Sequence, residues 1–152
     1  MCESDAEVAA VIGHEIAHVT ARHGAERMSQ SMLASMLAVG AQVATESSSN
    51  RDLWRLAYGG ATTLTILAYS RSHESEADYI GIRYAAKAGY DPRAAISFWK
   101  KMAAANPQAG GTAGKVNSWI STHPSNAQRI ADLQAAMPAV LPLYEAAKPR
   151  FQ

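Results

Sequence analysis

Cysteine is almost missing from this sequence: Cys2 alone among 152 residues excludes an intrachain disulfide and any thiolate-held zinc finger or ribbon. A metal here has to be held by imidazole and carboxylate. An excess of one charge is missing too. With 14 Lys+Arg against 13 Asp+Glu the formal net charge is +1, which leaves no basic surface of the kind nucleic-acid binding requires. No basic stretch leads into an apolar one at the start, so no signal peptide is read. Long apolar runs are also lacking. Met28–Thr45 contains Ser29, Gln30, Ser31, Ser35 and Gln42, while Leu53–Tyr69 carries Arg55 and the Gly59-Gly60 pair, so neither is a clean span of about 20 apolar residues. Two readings stay open for these windows: a helix lying on a membrane, or one packed under the rest of the domain.

What is present is helical periodicity. Ser4 or Asp5 can cap a helix running from Ala6 to about Arg22 or His23, with Gly24 as its stop or a bend, and apolar residues wrap most of its circumference, as expected of a helix buried on several sides. Met28, Met32, Leu33, Met36, Leu37 and Val43 recur at helical spacing from Ala25 to about Thr45. Core packing is the expected role of this methionine stripe, a flap or a membrane-facing surface the other reading. After a loop at Ser47–Asn50, a third helix is expected from Asp52 to Tyr69, bent or broken at Gly59-Gly60, with Thr62–Ile66 readable as strand. A fourth runs from His73 to Ala88 with Gly89 at its end, and a fifth from Pro92 to Ala105. Asn106–Gly114 reads as a loop, Ser125–Met137 as a helix, and a short last helix follows Pro138. With no repeats and no convincing alternating strand, the expectation is one mainly helical domain over 1–152, with little or no β structure.

Chemistry concentrates in two patches. His14-Glu15-Ile16-Ala17-His18 is an HExxH motif on the first helix, where a spacing of four puts both imidazoles on one face within reach of one ion. Zinc suits this donor chemistry, since a tetrahedral site takes imidazole nitrogen and carboxylate oxygen and keeps a position for water. Glu15, about 100° round the helix from His14, is placed to bond that water as a general base. Two histidines and a carboxylate are costly inside an apolar helix without partners, which a metal provides. The second patch is Ser70-Arg71-Ser72-His73-Glu74-Ser75-Glu76-Ala77-Asp78. Glu74 and Asp78, four apart, share a face, so Glu74 can be the third zinc ligand while Asp78 accepts the free ring N–H of a ligand histidine. A solvated acidic helix start is the plainer reading, and it fits Glu76 best. His73 as a ligand in place of Glu74 leaves Asp78 without a task.

Together these residues resemble the gluzincin zinc metallopeptidases of metallopeptidase family 48, which include the heat-shock protease HtpX, CAAX prenyl endopeptidases and membrane quality-control proteases of bacteria and mitochondria. The likeness extends to Glu7–Gly13 and Val19–His23 around the first motif, to Ala88-Gly89-Tyr90-Asp91-Pro92, and to Thr122-His123-Pro124-Ser125 through Arg129. It implies one Zn2+ per chain on His14, His18 and Glu74, Glu15 as base, Asp78 behind the histidines, and a polypeptide substrate. His123 is drawn towards the metal, either stabilising the oxyanion or filling the open position, where the residues alone leave it equally a helix-start histidine. Arg129 is either its support or a surface arginine. The resemblance implies a bacterial cell-envelope location, periplasmic or membrane-associated, and the lack of the family's preceding strand-bearing segment is also expected. The rival reading is a catalytically silent, chaperone-like zinc module.

Overall fold

The computed structural model of the chain describes residues 2–46, 49–104, 123 and 127–148, and the side chains of 68 and 69 are left aside. Among the described residues every regular element is helical, as the sequence predicts: α1 (Asp5–Thr20), α2 (His23–Ala44), α3 (Arg51–Lys87), α4 (Arg93–Ala104) and α5 (Ala127–Ala147). The expected Asn106–Gly114 loop, and Thr122, Pro124 and Ser125, lie outside the described residues.

Local chemistry explains the ends. The Ser4 hydroxyl accepts the Glu7 amide at 3.3 Å while the Glu7 carboxylate reaches back to the Glu3 amide at 2.7 Å, so orphan donors at the start of α1 are satisfied reciprocally. At the end of α3, Gly89 takes a φ of 82°, its amide bonds to the Ala86 carbonyl, and the Tyr90 amide bonds to that of Ala85, both at 3.0 Å. This is a left-handed cap that a Cβ would disfavour.

Three expectations change. The break between α1 and α2 falls at Ala21-Arg22, with Arg22 at a φ of 60°, and Gly24 lies inside α2. The expected third and fourth helices are one 37-residue helix that neither bends out of helical form at Gly59-Gly60 nor turns to strand at Thr62–Ile66. The hydroxyls of Thr62, Thr63 and Thr65 donate to the carbonyls of Tyr58, Gly59 and Ala61 at 2.8–2.9 Å, so residues that favour strands are accommodated within the helix. Likewise α5 runs on through Pro138 and Pro142. Each proline forfeits one helical hydrogen bond, and the burial of Met137, Val140 and Ala147 along the same helix offsets that loss.

The chain divides into two compact units, one of 1–20 and 74–152, the other of 21–73. In the first, α4 buries Ala95, Phe98, Trp99 and Met102 at helical spacing and packs against α1 and α5. Ile82, Ala86, Leu133, Met137 and Val140 complete this core. The second unit holds α2 and the first part of α3, and there His23 stacks on His73 with ring centroids 4.3 Å apart, while His73 Nε2 stands 3.1 Å from Glu26. The methionine stripe is not core: Met28, Met32 and Met36 are 69, 65 and 70% exposed. Helical spacing marks a common face, and nothing in α2 itself says whether that face meets a partner.

Glu7 is buried against Lys101, whose ammonium lies 2.7 Å from its carboxylate. Burial pushes the Glu7 carboxyl up, but the bonds from Lys101 and the Glu3 amide outweigh it and hold the pKa below the ordinary 4.5. A depressed carboxylate pKa contributes stability above its unfolded value, and that contribution fades as pH falls through the folded one. Glu7→Gln is therefore expected to melt below the parent at pH 7, with the two thermal midpoints converging on acidification below about pH 4. A gap independent of pH would assign the loss to packing instead.

Candidate metal centre

The metal-centre geometry begins with a close helix crossing in the first unit. Gly13 and Gly81 bring α1 and α3 into backbone contact: a Cβ on Gly81 would lie 2.7 Å from the His14 amide nitrogen, and one on Gly13 would lie 2.6 Å from the Gly81 carbonyl oxygen. Only hydrogen fits between these backbones. The crossing sets His14 and His18 of α1 against Glu74 and Asp78, which lie one turn apart on α3.

Four donor groups converge. One ligand atom from each of His14, His18, Glu74 and His123 lies within 4.8 Å of the others. His14 Nε2 is 3.1 Å from His18 Nε2 and 3.3 Å from His123 Nδ1. Glu74 offers Oε2 at 3.3 Å from His14 Nε2 and Oε1 at 3.3 Å from His18 Nε2, with His123 Nδ1 3.0 Å from Oε2. On the far side of its ring, His14 Nδ1 faces Asp78 Oδ1 at 2.9 Å. A carboxylate there favours the tautomer with its proton on Nδ1, which leaves the Nε2 lone pair aimed into the cluster. Lone pairs of imidazoles and a carboxylate gathered this closely repel one another unless a cation lies among them, so the donor set fits a divalent metal of zinc's preference.

The charges behind the donors are paired. Glu74 and Asp78 are 1 and 5% exposed and Arg129 is 2% exposed. Arg129 donates to both Asp78 oxygens, Nε at 2.6 Å and Nη2 at 2.7 Å, and its Nη1 lies 3.1 Å from Glu74 Oε2. Its guanidinium sits 3.7 Å above the Trp99 ring, and the Trp99 indole N–H donates to Asp78 at 3.2 Å. Burial pushes the Glu74 carboxyl up, yet the bonds to His123, His14 and His18 and the Arg129 charge hold it far below the usual carboxylate range. Burial disfavours the charged form of His14, and the carboxylates of Asp78 and Glu74 overcome that and raise its pKa.

The structure thus brings together His14, His18, Glu74, Asp78 and His123. Glu15 sits at the rim, its side chain 47% exposed and Oε1 3.5 Å from His123 Nε2. Glu76 is exposed, and His73 is engaged with His23 and Glu26 within the second unit. Arg129 is a buried partner of Asp78 and Glu74 and not a surface arginine. Trp99 carried no signal beyond apolar spacing in α4.

A family model described as "Peptidase family M48" matches residues 1–137. The mitochondrial metalloendopeptidase OMA1 of Schizosaccharomyces pombe is 36% identical over 138 residues, covering 91% of this chain and 38% of the relative. Human OMA1 is 33% identical over 140 residues, covering 89% and 26%. The beta-barrel assembly-enhancing protease of Yersinia pestis is 30% identical over 136 residues, covering 86% and 27%. The chain thus spans well under half the length of these relatives. No solved structure matches.

These relatives correct the expected bacterial cell-envelope location. Mitochondrial metalloendopeptidases from two yeasts, a plant, cattle and human match 84–95% of this chain at 31–39% identity. The motif residues on which the location was expected carry chemistry and not an address. No described helix is long and apolar enough to cross a membrane.

Proposed function

The chain belongs to peptidase family M48, and on that premise we propose that it is a zinc-dependent endopeptidase acting on misfolded or membrane-associated polypeptides. One observation carries this reading: the convergence of His14, His18, Glu74 and His123, two of them buried and two half-buried, with a catalytic-type carboxylate, Glu15, at its open edge. His14, His18 and Glu74 would hold one zinc, and Asp78 keeps the His14 ring in register. Bound zinc supplies a Lewis acid for the scissile carbonyl and acidifies a water molecule. Glu15 takes a proton from the attacking water and delivers it to the leaving amine, so the peptide bond breaks to a carboxylate and an amine. His123 is assigned to the developing oxyanion, since its ring already stands among the donors. The finer likeness to HtpX and the CAAX prenyl endopeptidases rests on the motifs alone.

The expected result is one zinc per chain after loading, cleavage of casein, loss of cleavage with a chelator, and recovery on adding zinc back. Zinc bound without any cleavage would favour the silent chaperone-like module. Cleavage that survives complete metal removal would refute the metallopeptidase reading.

A further inference from the structure

Building on the zinc reading above, we infer that Arg129 is a positioning residue for the metal centre, fixing the ligand Glu74 and the histidine-orienting Asp78 with one guanidinium. The family motifs do not by themselves distinguish this role from that of a surface arginine. The geometry does. All three donor nitrogens of Arg129 are committed: Nε and Nη2 grip both Asp78 oxygens at 2.6 and 2.7 Å, and Nη1 reaches Glu74 Oε2 at 3.1 Å.

A buried guanidinium costs several kcal/mol in lost hydration unless its partners are charged and well aligned. Here two carboxylates one turn apart on α3 meet that need, and the Trp99 ring covers its face at 3.7 Å. The arrangement constrains the carboxylates in turn. Asp78 is gripped at both oxygens by the guanidinium and also bonded by the Trp99 indole, which restrains it from rotating away from His14 Nδ1, which it faces at 2.9 Å. Glu74 has Oε2 tied to Arg129 while Oε1 lies 3.3 Å from His18 Nε2. Without the cation, two buried carboxylates would share one pocket and repel each other, and both would leave their present positions. A lysine, a single point charge on a flexible stem, cannot grip Asp78 at two oxygens and reach Glu74 at once.

The test uses the full chain carrying Arg129→Lys or Arg129→Met, with folding checked by circular dichroism. Zinc affinity is read by competition with a chromophoric chelator, and ligand geometry by the visible absorption of the Co2+-substituted protein. Both variants are expected to bind zinc about 10–100-fold more weakly and to change the cobalt band shape. Trp99→Phe, which keeps the stacked ring and loses the indole donor, should weaken binding less. If Arg129→Met fails to fold, Arg129→Lys carries the test. A folded Arg129→Lys chain with parental zinc affinity and an unchanged cobalt spectrum overturns the inference, even if its melting temperature falls. A parent chain that takes up no zinc instead overturns the zinc reading itself, and the inference with it.

Discussion

Glu15→Gln should leave zinc affinity within about twofold of the parent and lower casein cleavage by about 10²–10⁴-fold, the usual contribution of a positioned general base. Two features separate these effects. Glu15 is not among the four converging donors, so its loss removes no ligand. It does stand at their exposed edge, 3.5 Å from His123, where it can meet both a water molecule and a substrate amine. Glutamine keeps the shape and hydrogen-bonding reach of the side chain but cannot take up a proton at neutral pH, so folding and metal content should be preserved. His14→Ala provides the contrast, because it removes a donor and the partner of Asp78 together and should lose zinc as well as activity. Metal analysis and cleavage on the same samples decide the matter. Substantial turnover by Glu15→Gln would remove Glu15 from the mechanism, and a large fall in its zinc content would mean that it had been a ligand.

The parts of this centre legible in the sequence are those set by helical repeat alone. A spacing of four pairs His14 with His18 and Glu74 with Asp78, whatever surrounds them. That Asp78 faces His14 follows once the two helices meet, and the structure places the groups at 2.9 Å. Arg129 was undecidable because its role depends on α5 passing behind α3, a relation more than 50 residues apart in the chain that leaves no local pattern. Trp99 is concealed for the opposite reason: its apolar spacing in α4 is real, and the same residue also supplies an N–H to Asp78. In the helices, residues taken singly point the wrong way. Gly59-Gly60, the threonines after them and Pro138 each weaken a helix by themselves, but α3 and α5 continue where side chains bond back to the helix or a buried face offsets the loss. The methionine stripe failed differently, since its periodicity was correct and its burial was not.

Gly81→Ala should destabilise the first unit by about 1–3 kcal/mol, the range for forcing a methyl group into a packed interior, and should weaken zinc binding at the same time. The atoms the new methyl would meet are backbone: the His14 amide nitrogen at 2.7 Å, the Gly13 carbonyl carbon at 2.8 Å and the His14 Cα at 2.9 Å. No rotamer change can relieve such contacts, so α1 has to move away from α3. The residue it carries off is His14 itself, whose Nε2 and Nδ1 now lie 3.3 and 2.9 Å from carboxylates on the other helix. A shift of a few tenths of an ångström is tolerable for burial and damaging for a ligand set, so stability and metal affinity are coupled at this glycine. Gly59→Ala is the control. It too lies within α3, but a Cβ there meets nothing within 4 Å, so replacing a flexible helical residue should stabilise by about 0.5–1 kcal/mol. Urea unfolding of the two variants should therefore give shifts of opposite sign, with zinc affinity reduced in Gly81→Ala alone. Equal shifts would mean that helix propensity governs both positions and that the α1–α3 crossing does not depend on the missing side chain.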